Sequence, residues 1–179
     1  METKKENLSS KNMLGIVTAR RAIRNFLPRE VEQEKIDYIL ECVRLAPSAA
    51  NFQPWYFYIV KSKEAKAAIY QSYTIGNIKG DPMFIIACGD STKSWKRKID
   101  GKDFIDVDVT IATEHLVLAA TEQGLGTCWL AHFNVEKLKE LLEIPEHLTP
   151  IALLPIGYPQ TELSKQPERK SVEEIYKVL

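Results

Sequence analysis

Apolar residues along the chain follow two periods, one helical and one extended. In residues 32–45, Ile36, Ile39, Leu40 and Val43 recur at spacings that fall on one face of a helix. Ala46-Pro47-Ser48 ends that helix, because a residue before proline avoids helical geometry. Shorter helices are predicted over 13–19, 63–70 and 135–142, the last with Asn134 as its cap. Residues 107–122 are apolar around much of the helical circumference, which places that helix centrally or at a subunit interface. Strands are predicted at 55–60, 83–88, 127–131 and 151–156, and the unbroken run MFIIAC suits a strand buried on both faces. Residues 90–104 are polar with scattered aromatics and read as a mobile loop or short helix.

Strands alternating with helices, without internal repeat or interdomain linker, indicate a layered α/β or α+β domain. Its extent is taken as 13–179, with 1–12 as a flexible N-terminal segment. The length of 179 residues argues against two independent cores. Lysine plus arginine and aspartate plus glutamate each number 24, so there is no global basic field to hold nucleic acid. No apolar run reaches the roughly 18–20 residues of a membrane span, and METKKENLSSKN lacks a signal-peptide core. No membrane partner is expected, and the expected location is cytoplasmic. Cys42, Cys88 and Cys128 form an odd set without a C-x-x-C pair and read as free thiols.

Three stretches carry candidate chemistry. Arg20, Arg21 and Arg24 are closely spaced forks suited to a dianion, or else a solvated basic helix end. In APSAANFQPW, Asn51 and Gln53 offer donors and acceptors matching the edge of a flavin or nucleobase, or else satisfy their own turn. GLGTCW follows a helix, so it is not the glycine fingerprint that opens a Rossmann helix after a strand. Its glycines cap the helix or let a planar ring approach the backbone. His115, His132 and His147 share no metal spacing and read as structural or surface residues; no metal site is expected.

Together these stretches resemble the FMN-dependent nitroreductase family. RRAIRNF is similar to its R-R-S-x-R-x-F opening, and APSAANFQPW to its A-P-S-x-x-N-x-Q-P-W segment. The stretch from Asp108 to Trp129 resembles its central helix and GLG block, and IGYP with Arg169 its C-terminal element. The resemblance implies an α+β fold, a central mixed β-sheet wrapped by helices, in an intertwined homodimer with FMN at the subunit interface. It implies that Arg20, Arg21 and Arg169 hold the phosphate end and that Arg24 sits by N1 and the C2 carbonyl. Ser48, Asn51 and Gln53 would contact the ring or ribityl chain, and Leu125 and Gly126 would offer backbone near N5. It further implies electron transfer from NADH or NADPH to a small nitroaromatic or quinone-type acceptor, the chemistry residing on FMN and not on a catalytic side chain. A flavin-binding store or sensor would use the same residues. Tyr73, Trp95 and Phe104 are candidates for the acceptor wall, or else pack on their own subunit. Ala22 stands where the family has serine, a loss worth about 0.5–1.5 kcal/mol of binding. Pro167 stands where some members have lysine, leaving Lys165 or Lys170 to complete the clamp.

Overall fold

A computed structural model describes residues 12–73, 77–160 and 166–179. Most of the segment assigned as flexible, residues 1–11, lies outside the described residues, as does Lys165. Asn12 belongs to the fold: its side chain accepts from Gly15 N and caps helix α1 (Met13–Ala19).

The remaining elements are α2 (Gln33–Arg44), β1 (Trp55–Val60), α3 (Lys63–Ser72), β2 (Met83–Asp90), α4 (Ile105–Glu122), β3 (Gly126–Thr127), α5 (Val135–Leu141) and β4 (Leu148–Gly157). The strands form one sheet in the order β1-β2-β4-β3, every neighbouring pair antiparallel. A parallel component enters where the arginine segment runs beside β3, through an isolated bridge between Ala22 and Thr127.

Period two along the strands sorts the core into two layers. Ile85, Ala87, Ala152, Leu154 and Ile156 face α2 and α4, while Phe84, Ile86, Cys88 and Leu153 face the side carrying α3 and α5. All eight residues of β2 are buried, as expected of a strand covered on both faces. Cys88 and Cys128 are buried and Cys42 half-buried, all as free thiols; burial pushes the Cys88 thiol up to about 12. Among the described residues, no helix is long and apolar enough to cross a membrane.

Two strands differ from the sequence pattern. Residues 127–131 reduce to β3 and an isolated Leu130–Leu153 bridge. The register from Thr127↔Ile156 to Leu130↔Leu153 sets Cys128 opposite Pro155, and Leu153 exchanges both backbone bonds with Leu130 at 2.9 and 3.0 Å. Pro155, two residues on, points to the same side but has no N–H to give, so the ladder breaks. Strand β4 is longer than 151–156 because Pro150 is accommodated at an irregularity, where pairing shifts between Ala87↔Ala152 and Cys88↔Pro150. Residues 90–104 hold turns and a Lys96–Asp103 bridge with no helix.

The end of β4 is latched to α2. Tyr158 donates its hydroxyl proton to Glu32, which also takes a 2.6 Å bond from Arg29, and the Arg29 guanidinium lies 3.9 Å over the Tyr158 ring. The Tyr158 hydroxyl, followed by a backbone bond and Arg29, holds the Glu32 carboxyl down at about 2. A lowered folded-state pKa adds stability above the usual carboxylate value of 4.5 that is lost as pH falls toward 2. Denaturant titrations of the wild-type chain and Tyr158→Phe should therefore differ by a constant amount above pH 5. The gap should narrow steadily from pH 4.5 to 2.

Candidate functional site

Helix α4 separates the candidate residues into groups. At its C-terminal end Gly124 takes φ +74°, Leu125 N donates to Ala120 O at 2.8 Å, and Gly124 N donates to Thr121 O at 3.0 Å. This paired arrangement ends the helix and turns the chain into β3. Ile23 N donates to Thr127 O at 2.8 Å, which draws the arginine segment alongside. Gly126 is needed there because a Cβ would come within 2.6 Å of Ile23 Cγ1. Arg21, Leu125 and Gly126 consequently line one small cavity.

The three arginines are not equivalent. Arg21 donates to the carbonyls of Thr18 and Arg20 at 2.5 and 2.9 Å, closing the end of α1. Arg20 is half-buried and acts on Glu114 of α4: desolvation raises that carboxyl, and the Arg20 charge opposes the rise. Arg24 is exposed and lines a cavity of about 170 Å³ with Tyr73, Asn77, Trp129 and His132. Burial raises the Cys128 thiol, against the opposing charges of Arg24 and then Arg20. Burial likewise raises the Tyr73 hydroxyl, with Arg24 opposing. The guanidinium groups of Arg20 and Arg24, which both act on Cys128, can hold a dianion and stabilise negative charge on a planar ring.

Ser48, Asn51 and Gln53 lie at the other end of α4. Ser48 Oγ accepts from Gln53 N at 2.9 Å, the Gln53 amide donates to Asn51 Oδ1 at 3.2 Å, and both amide side chains are exposed. Ala49 N donates to Asp108 in the first turn of α4 at 3.0 Å. Phe104, immediately before that helix, stacks edge-on against Trp95 at 5.0 Å. Trp95 and Phe104 thus pack on each other at this end, whereas Tyr73 lies with Arg24. At about 1.5 Å per residue, the 14 steps from Asp108 to the last residue of α4, Glu122, amount to about 21 Å along the helix.

Arg169 belongs to neither group. It donates to the adjacent Glu168 carbonyl at 3.1 Å, and all described residues from 166 to 179 are exposed. No group of His, Cys, Asp or Glu that could hold a metal ion occurs among the described residues.

This architecture matches proteins of known family. Residues 17–158 match the model of the Nitroreductase family. The chain belongs to that family. A nitroreductase family protein from Clostridium difficile 630 shares 34% identity, covers 93% of this chain and 97% of its own, and superposes with a TM-score of 0.85. The FMN-dependent nitroreductase of C. difficile R20291 gives a TM-score of 0.79 at 28% identity, covering 93% of this chain and 98% of its own. The FMN reductase [NAD(P)H] of Bacillus subtilis is 33% identical over 172 residues, 84% of this chain and 67% of that protein.

Several residues at these sites escaped sequence reasoning. Trp129, Asn77 and His132 join Arg24 only through the fold, and the sequence reads His132 as structural or surface. Asp108 did carry a signal: it shares a helical face with Ala112 and Leu116, where a charge is out of place.

The glycines should separate by mechanism in urea denaturation. Gly126→Ala must displace Ile23 and should lose about 1–3 kcal/mol through overpacking. Gly124→Ala meets nothing within 4 Å and should lose only the left-handed backbone cost, about 1–2 kcal/mol.

Proposed function

We propose that this chain is an FMN-dependent oxidoreductase that takes hydride from NADH or NADPH and reduces a small acceptor of the nitroaromatic or quinone type. The observation that carries this reading is the pair of complementary half-sites at opposite ends of α4. One presents Arg20 and Arg24, which both act on Cys128 just beyond β3, and the other presents the exposed amides of Asn51 and Gln53. A phosphate with a polar, planar ring system calls for these two donor sets together. The names of the C. difficile and B. subtilis relatives support the same chemistry.

The two sets lie at opposite ends of α4, which runs about 21 Å from Asp108 to Glu122 at about 1.5 Å per residue, so one chain does not close both on one ring. The site is therefore completed by a second copy, each subunit lending one half. Surface apolarity supports a homodimer: α1 buries no residue, and Met13, Leu14 and Val17 are exposed. So are Val107 on α4 and Val172, Ile175, Tyr176, Val178 and Leu179 in the C-terminal segment. Pairing would also offer Arg169 a phosphate to bind that its own subunit does not bring near.

Arg20 and Arg169 would hold the phosphate end, with Arg21 near it closing α1. Arg24 would face the N1 and C2-carbonyl edge, where a cation favours the anionic reduced ring. Ser48 shapes the loop that presents Asn51 and Gln53 to the ring or ribityl chain, and the Leu125–Gly126 backbone would approach N5. When bound, FMN supplies the two-electron centre at N5, and the side chains bind, orient and tune it. The net reaction balances as NAD(P)H, a proton and a quinone giving NAD(P)+ and a hydroquinone. Tyr73, buried in the core beside Arg24, would back the acceptor from within, while Trp95 and Phe104 would border the other half-site.

Anaerobic stopped-flow absorbance on FMN-reconstituted protein tests the reading. NADH or NADPH should bleach the oxidised flavin band rapidly, and a quinone or nitroaromatic should restore it. Bound flavin that neither nicotinamide reduces would instead mark a flavin store or sensor. Sedimentation should give a dimer, and a stable FMN-saturated monomer would refute the shared site.

A further inference from the structure

The amide loop is held in a conformation that its side chains resist. Ala50, Asn51 and Gln53 have φ of 49°, 57° and 50°, in the left-handed region that favours glycine. Asparagine tolerates it, but alanine and glutamine gain nothing there, so surrounding bonds must impose it. Three backbone N–H groups bond within the loop: Gln53 N to Ser48 Oγ at 2.9 Å, Asn51 N to Ser48 O at 3.0 Å, and Phe52 N to Ala49 O at 3.1 Å. A fourth, Ala49 N to Asp108 Oδ1 at 3.0 Å, ties the loop to the core helix.

Asp108 is an expensive way to make that tie. The residue is 1% exposed, and its Oδ2 is buried without a hydrogen-bond partner among the described residues. It lies on the apolar face of α4, at the helix end where backbone dipoles favour a negative charge. Packing alone would be served better by an aliphatic side chain at this position. A buried acceptor aimed at one loop N–H serves geometry instead.

We propose that Asp108 is the positioning residue of the amide loop, its carboxylate fixing the left-handed turn that aims Asn51 and Gln53 at the bound ring. The aim toward a flavin rests on the proposed function; the hold on the loop does not.

Two variants of the full chain test it. Asp108→Leu keeps the branched shape with somewhat larger groups, removes the acceptor, and suits the apolar face. Asp108→Asn keeps an Oδ1 acceptor for Ala49. Amide hydrogen exchange at 49–53, without flavin, reads the loop; fluorescence quenching of FMN reads the site. In Asp108→Leu, exchange at 49–53 should quicken about tenfold and FMN should bind about tenfold more weakly, with protection of β2 and β4 unchanged. Asp108→Asn should restore both readouts to near wild type.

Wild-type protection and FMN affinity in Asp108→Leu would overturn the proposal, and so would fast loop exchange in Asp108→Asn. Uniform loss of protection across β2 and β4 together with the loop in either variant would also overturn it, as a merely structural role predicts. Should Asp108→Leu fail to fold, Asp108→Ala, which removes the acceptor with less bulk, takes its place with the same expected and overturning outcomes. Wild-type protein that binds no FMN would end the flavin reading, while the exchange comparison would still decide the hold on the loop.

Discussion

Burial of α4 against the sheet is the constraint on which the rest of the molecule depends. The helix seals Val109, Ala112, Leu116, Val117, Ala119 and Ala120 against the layer formed by Ile85, Ala87, Ala152 and Leu154. Burying such side chains is worth about 25 cal/mol per Å² of apolar surface, so α4 anchors one whole layer of the core. Because the helix is rigid and about 27 Å long, whatever its ends hold is set at a fixed separation. One end holds the left-handed amide loop through Asp108. The other passes through the Gly124 cap into β3 and the arginine segment.

In the proposed dimer, that separation and the exposed apolar surface have one explanation. The two sets of groups proposed to bind the cofactor lie at opposite ends of α4, and α1 and the C-terminal segment carry aliphatic side chains that their own subunit leaves uncovered. Completion of the proposed site and burial of this surface would then be one event, linking assembly to cofactor binding through mass action. Arg169, which its own chain places beside neither set, would be brought to the phosphate only in that assembly.

Local chemistry is divided between scaffold and site with little overlap. Tyr158, Glu32 and Arg29 form a latch whose charges satisfy one another. Gly126 is small for the sake of Ile23, so a glycine that resembles a ligand-approach position also has a packing reason. Arg20 and Arg24 face groups that burial has shifted, Glu114 and Cys128, where their charge acts through protein as well as water. The Trp95–Phe104 stack shows that aromatic residues in a polar loop can be accounted for by one another.

Much of the fold was legible in the chain, for identifiable reasons. Helix α2 and strands β1 and β2 follow directly from periodicity and from the stop at Pro47, since spacing alone decides which side chains share a face. The motifs around Arg20–Arg24, Asn51–Gln53 and Gly124–Gly126 marked the family, because each is a run of contiguous residues. Strand ends were less legible: Pro155 breaks a ladder only once its partner is known, and register is a property of two strands. The grouping of the site was not legible at all. Nothing in the order of residues says that Tyr73 joins Arg24, that Trp95 joins Phe104 at the amide-loop end, or that Asp108 reaches Ala49 across 59 positions. Sequence determined which chemical groups the protein carries and which local shapes they adopt. Tertiary structure decided which of them meet, because long-range contact depends on how buried faces dock and on the fixed length of the helix between them.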